Sequence, residues 1–404
     1  MKLLFDSTEL SYYLENYGHR AGVFNVALNI FREFRKKNIE ITFICNFKRY
    51  YFMKEVLKNV DEFKNIELLD ENSFINRFFA FLNYIVRNCN KKIVYGILSL
   101  SRYYENLFYV KNKKNEKQLK DFEYYFSPFT PACDEIMQAF HIKRFMMLHD
   151  TIPIIENKNK IPNNPRLWCY RLYNTINTGD IYFTNSENTR QDFLKFYPKL
   201  NPNKITTTYL GANENFSPKK NINNKENYIF SLCTLGKRKN LIFAIKNFFK
   251  FIEKNQINDL KFVLGGSVWT KFENELRKTL ENYDKSKIVF EGYITEEKLA
   301  QYYSNALMFV FPSLYEGFGL PVLEAMQCGC PVITSNISSM PEVIGECGIT
   351  IDPRCNSDMI EAYEKFYYDK FFRNVCIERG LARAKNFSWE KCANQIINIM
   401  ENNK

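Results

Sequence analysis

The stretch Pro312-Ser313-Leu314-Tyr315-Glu316-Gly317-Phe318-Gly319-Leu320-Pro321-Val322-Leu323-Glu324 follows the apolar run 307–311 and reads as the end of a strand, a glycine-containing loop and the start of a helix. Pro321 stands near the first helical position, where a missing N–H costs nothing. Such a loop brings backbone N–H groups and the positive end of a helix dipole to the carboxyl edge of a sheet, a good place for a diphosphate. Gly317, Phe318, Gly319 and Leu320 are its candidate binding residues. Glu324, about one turn into the helix, can accept hydrogen bonds from ribose hydroxyls, and Glu316 can reach a sugar held beyond the phosphates. For an isolated pair of acids the bland reading wins, a solvated loop acid and a helix acid favoured by the dipole. The glycines alone are weak as well, because Val322 stands where a dinucleotide fingerprint has its third glycine, and this disfavours an oxidoreductase.

Outward from this stretch, short apolar runs alternate with helical patterns along the chain. Residues 2–6 predict a buried strand, and Val23, Val26, Ala27, Ile30, Phe31 and Phe34 fall at helical spacing after it. Further strands are expected at 39–45, 145–148, 181–184 and 205–210. Residues 213–227 are polar and rich in Lys and Asn, the best linker candidate. A second series follows, with strands at 228–232, 260–264, 288–290, 307–311 and 332–334 and helices near 240–253, at 296–304 and from 320. Strands alternating with helices imply parallel sheets covered on both faces. With 404 residues the chain is long enough for two domains, and the expected class is α/β with two Rossmann-like domains, 1–210 and 211–387. No fixed-period repeat is present.

Composition is that of a folded globular protein, with 46% hydrophobic and 25% charged residues. The N-terminus reaches Asp6 after three apolar residues, which argues against a signal peptide, and no run approaches the ~20 apolar residues of a membrane span. Eleven scattered cysteines without a C-x-x-C read as reduced thiols, so a cytoplasmic location is expected. The net charge of +11 sits almost wholly in residues 1–210, which carry +9. A phosphorylated substrate or an anionic membrane surface accounts for that better than nucleic acid, whose signatures are missing, and a merely solvated basic surface accounts for it equally well.

Two more groups point to chemistry. Gly236-Lys237-Arg238-Lys239-Asn240 follows the first strand of the second series, where an α/β fold presents its ligands. Arg238 offers a planar fork and Lys239 a compact charge, both suited to a diphosphate, while the plain alternative is a basic helix start. His149 and Asp150 close the strand 145–148 within His149-Asp150-Thr151-Ile152-Pro153. A lone histidine is more often structural than catalytic, but strand ends are where open sheets bind ligands.

The run from Phe290 to Pro353 resembles the retaining glycosyltransferases of family 4, which have the GT-B fold and an E-x7-E motif, matched here by Glu316 and Glu324. Phe290-Glu291-Gly292, Gly329-Cys330-Pro331-Val332-Ile333 and Met340-Pro341-Glu342-Val343 fit the same pattern. So do the basic loop at 236–240, Asn185-Ser186-Glu187 with Thr189, and Phe387-Ser388-Trp389 at the start of a last helix, 388–404, that returns to the first domain. The resemblance covers most of the chain from about residue 145.

It implies two Rossmann-like domains facing a central cleft and a nucleotide-sugar donor held by Arg238, Lys239, residues 317–320 and Glu324. Glu316, His149 and Asp150 then face the donor sugar. Arg20 and Gly22, in the loop before the first helix, lie on the acceptor side, although Phe24 replaces a glycine often found there. The acceptor is expected to be a glycan or a polyprenyl-linked glycolipid, reached by peripheral contact with the inner face of an anionic membrane. No D-x-D occurs and no His or Cys cluster is present, so no metal and no cofactor are expected. The His-Asp-x-Ile-Pro form suggests mannosyltransferases of O-antigen or other polysaccharide assembly, with GDP-mannose as first choice. Another GT-B enzyme, such as an epimerase or a phosphorylase, and a non-catalytic nucleotide-sugar-binding module remain the alternatives.

Overall fold

Leu3, Leu4 and Phe5 are wholly buried in the strand β1 (Lys2–Asp6), as a continuous apolar run flanked by parallel neighbours must be. The computed structural model describes residues 1–14, 22–46, 49–69, 77, 81, 118–165, 167–219, 226–232, 236–266 and 270–403. The chain divides into two units: Met1–Asn185, Arg190–Thr208 and Cys392–Lys404 form the first, and Ser186–Thr189 with Tyr209–Lys391 the second.

In the first unit β1 is joined by β2 (Glu40–Ile44), β3 (Glu67–Leu68), β4 (Tyr124–Ser127), β5 (Lys143–Leu148), β6 (Ile181–Thr184) and β7 (Ile205–Thr207). The order is β3-β2-β1-β4-β5-β6-β7, and every pairing is parallel. Helix α1 (Val23–Lys36) turns Val26, Ala27, Ile30, Phe31 and Phe34 inward, the residues that the sequence spacing selects. The rings of Phe31 and Phe34 meet Phe5 at 5.8 and 6.2 Å. Each fully buried Phe contributes roughly 1.5–3 kcal/mol. Helix α2 (Glu187–Phe196) leads from β6 toward β7; its first residues, Glu187–Thr189, belong to the second unit and the rest to the first.

The second unit holds β8 (Glu226–Leu232), β9 (Lys261–Gly265), β10 (Ile288–Gly292), β11 (Ala306–Phe311), β12 (Val332–Ser335) and β13 (Ile349–Ile351) in the order β10-β9-β8-β11-β12-β13, again all parallel. Helices α3 (Leu241–Lys254), α4 (Thr270–Leu280), α5 (Glu296–Asn305) and α6 (Leu320–Gln327) connect its strands. The last helix, α7 (Trp389–Asn402), starts in the second unit and from Cys392 onward belongs to the first. In each sheet the earliest strand lies inside the sheet, so the winding reverses beside it, between β1 and β4 and between β8 and β11. Ligands of open α/β sheets gather at such reversals, outside the carboxyl ends of the strands.

Of the expected linker 213–227, the described residues 213–219 pack on the second unit, and 220–225 lie outside the described residues. Phe216 is buried against the Tyr303 ring at 6.1 Å, and the Gln327 amide donates to the Asn213 carbonyl at 3.2 Å. The Lys219 N–H donates to Ser304 Oγ at 3.0 Å, and β8 already begins at Glu226. One aromatic ring in a polar run anchors the segment to the second unit. The strand expected over 205–210 ends at Thr207, and β3, β4, β13 and α4 are additions to the sequence reading.

Candidate functional site

Three loops of the second unit leave the carboxyl ends of adjacent strands β8, β11 and β12. After β8 the turn Lys237–Lys239 ends at Asn240, whose left-handed φ of 56° starts α3. The Arg238 carbonyl accepts the Leu314 N–H at 2.8 Å, tying this turn to the loop after β11. Arg238 and Lys239 are thereby brought onto one acid. Arg238 Nη1 lies 2.8 Å from Glu316 Oε1, and Lys239 Nζ donates to the same oxygen at 2.6 Å. Ser313 Oγ donates to it as well, at 2.5 Å, and Arg238 also reaches the Tyr315 carbonyl. The Lys239 ammonium lies 4.8 Å from the centre of the Phe311 ring, a cation–π contact on its other side.

Glu316 is 8% exposed. Burial pushes its carboxyl up, but Lys239 and Arg238 outweigh it and hold the group below the ordinary carboxylate range. Its backbone is fixed from the loop after β12: the Glu316 N–H donates to Ser338 Oγ at 3.0 Å, and Ser339 Oγ donates to the Glu316 and Phe318 carbonyls at 3.0 and 2.9 Å. The Glu316 amide is therefore committed to the protein.

Gly319 starts α6 with a φ of 108°, which favours glycine, and a Cβ there would lie 2.3 Å from Met340 Cε, so the flexible end of Met340 would have to move. Phe318 is a core residue, its ring between Tyr209 at 6.4 Å and Phe387 at 5.9 Å, so only its backbone is available to a ligand. The Gly317 carbonyl accepts Thr189 Oγ1 at 3.1 Å. Glu324 lies one turn into α6, half-buried, with Tyr303 OH donating to Oε2 at 3.1 Å. Burial raises its pKa to about 7 against the weaker pull of that hydrogen bond.

Two motifs that are far apart in sequence also meet. Glu342 accepts the backbone N–H groups of Glu187 and Asn188 at 2.8 and 3.0 Å, a carboxylate on the first turn of α2.

In the first unit His149 and Asp150 follow β5. His149 is buried, with Nε2 2.6 Å from the Pro128 carbonyl, and burial brings its pKa down to about 4. Asp150 accepts the Ile152 N–H at 2.9 Å, and its carbonyl accepts Tyr173 OH at 3.0 Å. Gly22 precedes α1 with a φ of 58°, and Arg20 lies outside the described residues. Sequence reasoning missed Ser313, Ser338, Ser339 and Tyr303; the Ser338-Ser339 pair ahead of Met340-Pro341 was the available signal for two of them.

The chain is similar to several known proteins. It is 32% identical to O-antigen chain mannosyltransferase B of Escherichia coli over 56% of this chain and 62% of that protein. It is 28% identical to the serotype-specific mannosyltransferase WbdA of Escherichia coli over 63% of this chain and 33% of that one. The chain thus spans less than two thirds of the length of these relatives. Among solved structures, that of HepE from Anabaena in complex with UDP and glucose superimposes over 100% of both chains at a TM-score of 0.66 and 14% identity. That likeness gives the fold, GT-B, built of two parallel-sheet α/β units. Residues 212–383, which carry Arg238, Lys239, Glu316 and Glu324, match the family model of the glycosyl transferases group 1.

Proposed function

We propose that the chain is a retaining glycosyltransferase. It moves a hexose, in the first instance mannose from GDP-mannose, to a hydroxyl of a glycan or polyprenyl-linked glycolipid acceptor in bacterial surface polysaccharide assembly. The observation that carries this reading is the convergence of Arg238 and Lys239 on Glu316 beside the winding reversal of the second sheet. Breaking the bond between the anomeric carbon and the phosphate oxygen puts positive charge on the sugar and negative charge on the departing diphosphate. Arg238, Lys239 and the first turn of α6 stabilise the diphosphate, taking the place of a metal ion. Glu316 holds the sugar's hydroxyls, Glu324 the ribose, and His149 with Asp150 the far side of the sugar. The acceptor oxygen enters on the face the diphosphate leaves, its proton passing to the departing phosphate oxygen, which retains the configuration.

The relatives named mannosyltransferases support mannose as the sugar. No helix among the described residues is long and apolar enough to cross a membrane, and the basic first half suits peripheral contact with an anionic leaflet. The test is turnover of a panel of nucleotide sugars with a mannoside acceptor, run with and without excess EDTA. Transfer from GDP-mannose with an α-linked product and full activity in EDTA is expected. Activity abolished by EDTA and restored by Mg²⁺ or Mn²⁺, or no transfer from any donor, overturns the reading.

A further inference from the structure

Trp168 is 59% exposed and its neighbour Leu167 41%, although both sit in a segment that the structure anchors closely. Cys169 beside them is buried at 3%, and the short helix Tyr170–Asn174 is tied back by Tyr173 OH, which donates to the Asp150 carbonyl, and by Arg171 Nη2, which donates to the Ala132 carbonyl at 3.2 Å. Phe129 bridges from this segment to His149: its ring centre is 6.0 Å from Trp168 and 5.6 Å from the imidazole. Phe129 and His149 follow the carboxyl ends of the neighbouring strands β4 and β5, and Phe129 carries the contact on to Trp168. A single exposed aromatic residue is ordinary. A large indole held exposed by its neighbours and linked by one ring to a candidate site residue is a built surface.

We propose that Trp168, backed by Phe129, is the platform on which a sugar ring of the acceptor glycan lies, two ring contacts from His149. This rests on the glycosyltransferase reading and deepens it by assigning acceptor recognition. The C–H groups on one face of a pyranose carry partial positive charge and pack on the negative face of an indole, while its hydroxyls stay in water. The cations suited to a diphosphate are in the second unit, so the ligand of this platform is the uncharged glycan rather than the donor.

The experiment is kinetics of Trp168→Ala and Trp168→Phe with methyl α-mannobioside as acceptor probe, together with tryptophan fluorescence titration by the same disaccharide. W168A should raise the acceptor KM about three- to ten-fold, the loss of one ring contact, with the donor KM and the melting temperature unchanged. W168F should recover most of the affinity. In the wild type the disaccharide should quench fluorescence, and W168F should lose that quench. An unchanged acceptor KM in W168A, or an effect on the donor KM alone, overturns the proposal. So does a variant that loses binding to anionic vesicles while keeping its acceptor KM. If the wild type transfers no sugar the glycosyltransferase reading fails on its own. The titration then decides the platform, and a quench that is absent or that persists in W168F refutes it.

Discussion

Replacing Glu316 by Gln keeps the side chain's shape and removes the charge on which Arg238, Lys239 and Ser313 converge at 2.8, 2.6 and 2.5 Å. Two effects of opposite sign follow. A charge-assisted hydrogen bond from a sugar hydroxyl to the carboxylate is worth ~1.5–3 kcal/mol, so its loss should lower kcat by roughly 10- to 150-fold. The carboxylate also repels a diphosphate and neutralises the two cations that would hold it. At ~6 Å and an effective dielectric of ~20, one such repulsion is about 3 kcal/mol, and solvent at the partly exposed Arg238 reduces it to about 1 kcal/mol. GDP should therefore bind E316Q roughly five-fold more tightly while transfer slows. Isothermal titration with GDP, next to single-turnover transfer from GDP-mannose, measures both. The depressed pKa of Glu316 stabilises the wild-type fold above the ordinary carboxylate range, an advantage lost as pH falls through the folded value. Any stability deficit of E316Q should shrink at low pH accordingly. Weaker GDP binding together with near-normal kcat would refute the reasoning and leave Glu316 as a tether for the two cations.

Arg238→Ala with Lys239→Ala should cost roughly 10²–10⁴-fold in rate at ~1.5–3 kcal/mol each, read by steady-state transfer, and a loss below ten-fold would move the diphosphate site elsewhere. Glu324 has a raised folded pKa of about 7, so it favours the fold fully below the ordinary 4.5 and loses that contribution as pH rises through 7. Glu324→Gln should match the wild type at pH 5 and exceed it at pH 8 by up to about 3 kcal/mol, and a difference in melting temperature that is the same at both pH values would contradict this. Gly319→Ala combines a φ of 108° with a methyl group 2.3 Å from Met340 Cε, and should lower stability by about 1–3 kcal/mol in urea unfolding and reduce transfer. No loss in either would show that the loop relaxes freely.

Much of the fold was legible because parallel strands buried on both faces leave uninterrupted apolar runs, as at 2–6, 181–184 and 307–311. The stretch 124–127 is not legible as a strand although β4 lies at the first sheet's reversal: three aromatic residues next to Lys120, Asp121 and Glu123 give no alternation to read. Residues 349–351 are too few to stand out. Arg238, Lys239 and Glu316 could be named from residue type and position, since a basic turn and an acidic loop each follow a strand. That all three share one oxygen could not, because it depends on the Arg238 carbonyl to Leu314 bond and on two serines in the loop after β12. Phe318 shows the converse: a loop position in sequence, it is a core ring in space, since its partners Tyr209 and Phe387 are distant in the chain.

His149 bears on where the positive charge of the reaction comes from. Its Nε2 lies 2.6 Å from the Pro128 carbonyl, which can only accept, so the proton of the neutral ring is on Nε2. Burial holds the pKa at about 4, so the ring is neutral at pH 7. A neutral imidazole cannot balance a departing diphosphate, and Asp150 beside it spends Oδ1 on the Ile152 N–H. In the proposed reaction His149 therefore contributes shape and a hydrogen bond, while the charge comes from Arg238 and Lys239. This separates the pH profiles of two variants. Because its depressed pKa favours the fold above 6.5 and that contribution is lost as pH falls toward 4, His149→Gln should gain relative stability in acid and keep a flat kcat profile between pH 6 and 8. Lys239→His should instead put a titrating cation under the diphosphate and make kcat fall as pH rises through the histidine range, ~6–7. A kcat profile of H149Q that acquires or loses a limb in that range would show that His149 changes protonation during turnover, and the assignment of charge to Arg238 and Lys239 alone would fall.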